Sequence, residues 1–67
     1  MEMELIINGQ PRQITARTVR ELLDQLGLAN QAVAVEVNRQ LVPKRQHEQA
    51  QLHEGDVVEV VTLVGGG

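Results

Sequence analysis

The chain ends in Gly65-Gly66-Gly67, directly after the apolar run Val57-Val58-Glu59-Val60-Val61-Thr62-Leu63-Val64. Three glycines have no side chains to pack, and ordering them costs much backbone freedom, so stability gives no reason for them. Such a tail is expected to stay flexible unless a partner holds it. What it offers is the Gly67 carboxylate on a bare tether, reaching roughly 10 Å past Val64 at full extension. Gly65 adds reach, and Gly66 and Gly67 could pass through a channel too narrow for a Cβ. The competing reading is an incidental glycine end, so the rest of the chain has to decide.

Few other residues have the types and spacing that chemistry requires. His47 and His53 lie in or beside a polar stretch with Glu48 and Glu54, but without a spacing that gathers ligands on one face. They read as solvated surface, and no metal site is expected. Lys44 is the only lysine; it follows Pro43 and reads as a surface cation that could also touch a partner. Zero cysteines exclude a disulfide, a thiolate nucleophile and a Cys-ligated metal. There is no Ser/His/Asp or paired-carboxylate arrangement, and the remaining glycines close turns rather than cradle phosphates.

Composition narrows the partners. Nine acidic and six basic residues give a formal net charge of −3, and Phe, Tyr and Trp are absent. Both facts disfavour nucleic acid, which needs cations for its phosphates and aromatic platforms for its bases. No stretch approaches the length of a membrane span, and Met1-Glu2-Met3-Glu4 lacks the basic start of a signal peptide. The expected setting is a soluble cytoplasmic protein with neither membrane nor nucleic-acid partners.

The elements that must position the tail are legible. Leu5-Ile6-Ile7, then Asn8-Gly9, then Gln10 to Ala16 predicts a hairpin, because Asn-Gly tolerates two positive φ angles in succession. Pro11 cannot donate to a ladder, which sends the second strand to a sheet edge. Thr18-x-x-Glu21 is a capping box opening a helix whose Val19, Leu22, Leu23 and Leu26 form one apolar stripe. Gly27 sits where a left-handed stop belongs, with Leu28 placed to touch Leu23. Val33 to Asn38 reads as a third strand and Leu41-Val42-Pro43 as a short strand or a turn. Lys44 to Gln51 reads as a loop with a helical turn, and Glu54-Gly55-Asp56 turns into the last strand, Val57 to Leu63.

A hairpin, a crossover helix and a final strand parallel to the first make an α+β fold of the β-grasp, ubiquitin-like type. It would have a mixed sheet of four to five strands with one main helix on one face. Residues 1–64 form the domain and 65–67 its flexible tail. Leu5, Ile7, Val35, Val37, Val58 and Val60 then face the helix. Ile6, Val61 and Leu63 take the opposite parity and project from the uncovered sheet face, where polar residues are the norm. They are the expected partner-binding residues.

Ile7-Asn8-Gly9, the helix to Leu26, Val33-Ala34-Val35-Glu36-Val37-Asn38, Val42-Pro43, Glu54-Gly55-Asp56-x-Val58-Glu59 and the terminal glycines occur here in one order. Together they resemble the ThiS family, the ubiquitin-like sulfur carriers of thiamine (thiazole) biosynthesis, over essentially the whole chain. Lys44 departs from the arginine that often follows Val-Pro, and Val57 replaces a usually polar residue. The resemblance implies a carrier rather than an enzyme, with no cofactor of its own. A ThiF-like adenylating enzyme would convert the Gly67 carboxylate to an acyl-adenylate. A relay from a cysteine desulfurase would replace AMP by sulfur, and a ThiG-like thiazole synthase would draw on the resulting thiocarboxylate. Rival roles are sulfur delivery to molybdopterin or tRNA, protein modification through the tail, and a plain interaction module. The absence of proline before the glycines favours thiamine over molybdopterin.

Overall fold

A computed structural model describes residues 2–63 of the chain. Its elements are β1 (Met3–Ile7), β2 (Gln10–Ile14), α1 (Val19–Gln25), β3 (Val33–Val37), β4 (Gln40–Val42), a 3-10 turn (Lys44–Gln46) and β5 (Val57–Thr62). The sheet order is β2-β1-β5-β3-β4. Only the β1–β5 pair is parallel, so the chain crosses over through α1 and returns to lie beside its first strand. β2 takes one edge, and Pro11 costs no ladder bond to a further strand there.

Alternation along the strands decides what is buried. Leu5 and Ile7 of β1, Val35 of β3 and Val58 and Val60 of β5 point to the helix side and are buried; Val37 packs half-buried against them. Val19, Leu22 and Leu23 close the core from α1, joined by Ile14 at the end of β2 and by Ala16 and Leu52 from the connecting segments. Leu5, Leu22, Val19, Val35 and Val58 are fully enclosed, each contributing about 1.5–3 kcal/mol relative to exposure.

The ends of α1 follow the local signals, with one difference. At the C-terminus Gly27 has φ +75°, and the Leu28 and Gly27 N–H groups donate to the Leu23 and Asp24 carbonyls at 2.8 and 3.1 Å. This paired arrangement satisfies carbonyls that the helix leaves free. At the N-terminus the Thr18 hydroxyl accepts from the Glu21 N–H at 3.2 Å. The Glu21 carboxylate, however, reaches back to the N–H of Arg17, at 2.7 Å, rather than to that of Thr18. Two further first-turn donors find distant partners: the Val19 N–H bonds the Ala50 carbonyl (3.0 Å) and the Arg20 N–H that of His47 (2.9 Å).

The two hairpins turn alike. Asn8 and Gly9 have φ of +50° and +83°, and Asn38 and Arg39 have +51° and +69°. Two successive positive φ values give the tight turn whose twist matches the strands it joins. The second hairpin resolves the segment 41–43: Leu41 and Val42 belong to a strand, antiparallel to β3.

Candidate functional site

The tail departs from β5, and the structure shows how the end of that strand is held. β1 and β5 share only two register pairs, Ile6 with Val57 and Ile7 with Val58. Beyond them the Asn8 carboxamide acts as an extra rung: its Oδ1 accepts from the Val60 N–H at 2.9 Å and its Nδ2 donates to the Val60 carbonyl at 3.1 Å. On the other side β3 pairs with β5 from Val37–Val58 to Val33–Thr62, and the Leu63 N–H donates to the Ala32 carbonyl at 2.9 Å. Asn38 repeats the device at the start of the strand, accepting from the Val57 N–H at 3.0 Å and donating to Asp56 Oδ1 at 3.0 Å. Neither asparagine's hold on β5 is visible from sequence spacing alone. Asn-Gly announces only the turn.

Gly65, Gly66 and Gly67, like Val64, lie outside the described residues. The proposed docking residues lie within them. Ile6 is half-buried and sits beside Val57 across the parallel pair; Val61 lies opposite Ala34 across the antiparallel one. Val57 is 44% exposed and Val61 56%, so the open face of the sheet carries exposed apolar side chains where a solvated face is ordinarily polar, and Leu63 just past the strand is 54% exposed. That face is not continuous. Ile6 and Val61 stand four strand residues apart, about 13 Å at the usual strand rise. Between them Glu59 lies directly opposite Glu36, and Glu36 lies beside the exposed Leu41. Leu63 follows the strand and lines an open groove with Leu23, Val33 and His47, rather than extending the Val61 patch.

His47 corrects one expectation. It is 6% exposed instead of solvated, with Nε2 at 3.0 Å from the Val42 carbonyl. Its own carbonyl receives the Arg20 N–H, so it ties β4 to the start of α1. No periodicity between Lys44 and Gln51 could have announced this, because the burial comes entirely from tertiary contact. His53, by contrast, lies on the surface. Among the described residues no helix is long and apolar enough to cross a membrane.

A five-stranded mixed sheet gripping one helix, with its first and last strands parallel in the middle, defines a ubiquitin-like β-grasp domain. The ThiS family model matches residues 5–67, through the last glycine. The chain belongs to the ThiS family. It is 38% identical over 61 residues to the sulfur carrier protein ThiS of Thermus thermophilus, covering 91% of this chain and 95% of that one. It is also 44% identical over 66 residues to a thiazole synthase of Paramagnetospirillum magneticum; the match takes in 97% of this chain but spans 20% of that longer protein. Among solved structures, the crystal structure of the thiamine biosynthesis protein ThiS from Geobacter metallireducens superposes with a TM-score of 0.81 at 32% identity. The superposition covers 97% of this chain and 100% of that one.

Proposed function

We propose that this protein is a sulfur carrier of thiamine biosynthesis that acts as the substrate of other enzymes rather than as a catalyst. The observation that supports the reading is the family match, which runs from residue 5 to residue 67. A carboxylate is a poor electrophile, so the Gly67 carboxylate has to be activated before it can take sulfur. An oxygen of that carboxylate attacks the α-phosphorus of ATP, pyrophosphate leaves, and the product is an acyl-adenylate. The outer sulfur of a protein persulfide then adds to the acyl carbon and AMP leaves, giving an acyl disulfide. A thiol that attacks the donor-side sulfur of that disulfide releases the thiocarboxylate and is left in a new disulfide with the donor. The first step belongs to a ThiF-like adenylating enzyme and the sulfur to a relay from a cysteine desulfurase.

The acceptor is a ThiG-like thiazole synthase. This assignment is supported by the thiazole synthase that carries a segment similar to this chain within its own sequence. The β-grasp domain supplies the base from which the tail projects, and Ile6, Val61 and Leu63 supply apolar surface for a partner that takes the tail. The reading is tested by replacing Gly66 with tryptophan, or by extending the chain past Gly67, and measuring ATP–pyrophosphate exchange with the adenylating enzyme. Both changes are expected to abolish exchange while the circular dichroism spectrum and melting curve stay unchanged. Normal exchange by either variant would sink the threading mechanism.

A further inference from the structure

Leu63, from which the chain continues into Val64 and the glycines, lines an open groove of about 970 Å³ whose other walls carry Arg20, Lys44 and Arg45, with Glu48 as the acidic residue among them. Three of the chain's six basic residues thus gather beside the root of the tail, in a protein whose net charge is −3. They are not equivalent. Arg20 is 3.5 Å from Asp24 and 3.8 Å from Glu48 and so is already paired. Lys44 and Arg45 are exposed and form no ion pair among the described residues.

The backbone beneath these two cations is held firmly. The Gln46 and His47 N–H groups close the turn onto the Pro43 and Lys44 carbonyls at 2.8 and 3.1 Å. Buried His47 then fastens the turn to β4 and to α1 through the contacts described above. The charges therefore stand on a preorganised base, so that less ordering cost falls on association.

We propose that Lys44 and Arg45 form an electrostatic docking surface for carboxylate side chains on the rim of the protein that activates Gly67. The inference rests on the function proposed above. A protein that takes the tail into a channel comes within that short segment's reach of Leu63, and so stands beside this groove. At physiological ionic strength charges act over about 8 Å; Glu48 and Asp24 are engaged with Arg20, so unpaired Lys44 and Arg45 set the sign that the rim meets. Exposed charges of this kind mainly set the association rate and its salt dependence.

The test uses the full chain and the purified, nucleotide-free adenylating enzyme, so that the enzyme's own side chains are the only anions on offer. Binding is measured by calorimetry at about 0.05 M and about 0.5 M salt for the wild type, the K44E/R45E and K44Q/R45Q doubles, and V61E. Charge reversal is expected to weaken low-salt binding by about tenfold or more and to invert the salt dependence, and neutralisation to weaken it by less while removing most of that dependence. V61E is expected to weaken binding while keeping the salt dependence. Melting temperatures near that of the wild type identify the losses as interfacial. Reversal that leaves affinity within about twofold of the wild type, with the same salt response, overturns the docking surface. In that case V61E-sensitive binding leaves the carrier reading standing. A wild type that does not bind the enzyme overturns both.

Discussion

The two faces of the sheet use the same residue types for opposite purposes. On the covered face Leu5, Ile7, Val35, Val58 and Val60 meet the α1 stripe and lose nearly all contact with solvent. On the open face Val57, Val61 and Leu41 remain 44–65% exposed, and the Glu36–Glu59 pair stands among them. Burial explains the first set completely. The second set contributes little to the domain's own stability and includes a like-charge pair that works against it, so folding does not account for it. Stability and recognition are thus separated by strand parity.

Mutations should separate them in the same way. The largest effect is expected on the covered face, where Leu22→Ala opens a cavity beneath the sheet and costs about 2–5 kcal/mol, read as a fall in the denaturation midpoint. For so small a domain that could approach the whole of its stability. On the open face, Val61→Glu is expected to change stability by no more than about 0.5 kcal/mol while weakening the complex with the adenylating enzyme. A large drop in melting temperature would move Val61 into the core and erase the distinction. The smallest effect belongs to Glu59→Gln. Relieving repulsion from Glu36 should stabilise the domain by a few tenths of a kcal/mol, and the gain should shrink as salt is added. Destabilisation by this change would show that the pair is not the unfavourable contact described.

Much of this was legible in the sequence because the signals are local. The Thr18 cap, the Val19–Leu26 stripe and Gly27 place a helix without reference to anything else, and Asn8-Gly9 places a hairpin. What stayed hidden depends on distant contacts. The β3–β4 turn puts Arg39 at φ +69°, where an arginine gives no advance signal. Its partner Asn38 is held there by Val57 and Asp56, nearly twenty residues on. His47 is buried by β4 and the start of α1, and Asn8 reaches Val60 across the parallel pair. Strand parity assigned Ile6 and Val61 to the open face, but only the register places Glu36 against Glu59 between them. The groove that joins Lys44 and Arg45 to Leu63 likewise unites residues that the sequence separates by the whole of β5 and the loop before it.

The proposed chemistry converges on one group, the Gly67 carboxylate. Intact-mass spectrometry of the protein, isolated from cells with an active sulfur pathway and the adenylating enzyme present, tests it most directly. A sulfur carrier yields a species in which one oxygen at the C-terminus has been replaced by sulfur, lost when the adenylating enzyme is deleted. Persistent absence of that species while the enzyme is present and active would contradict the proposed chemistry.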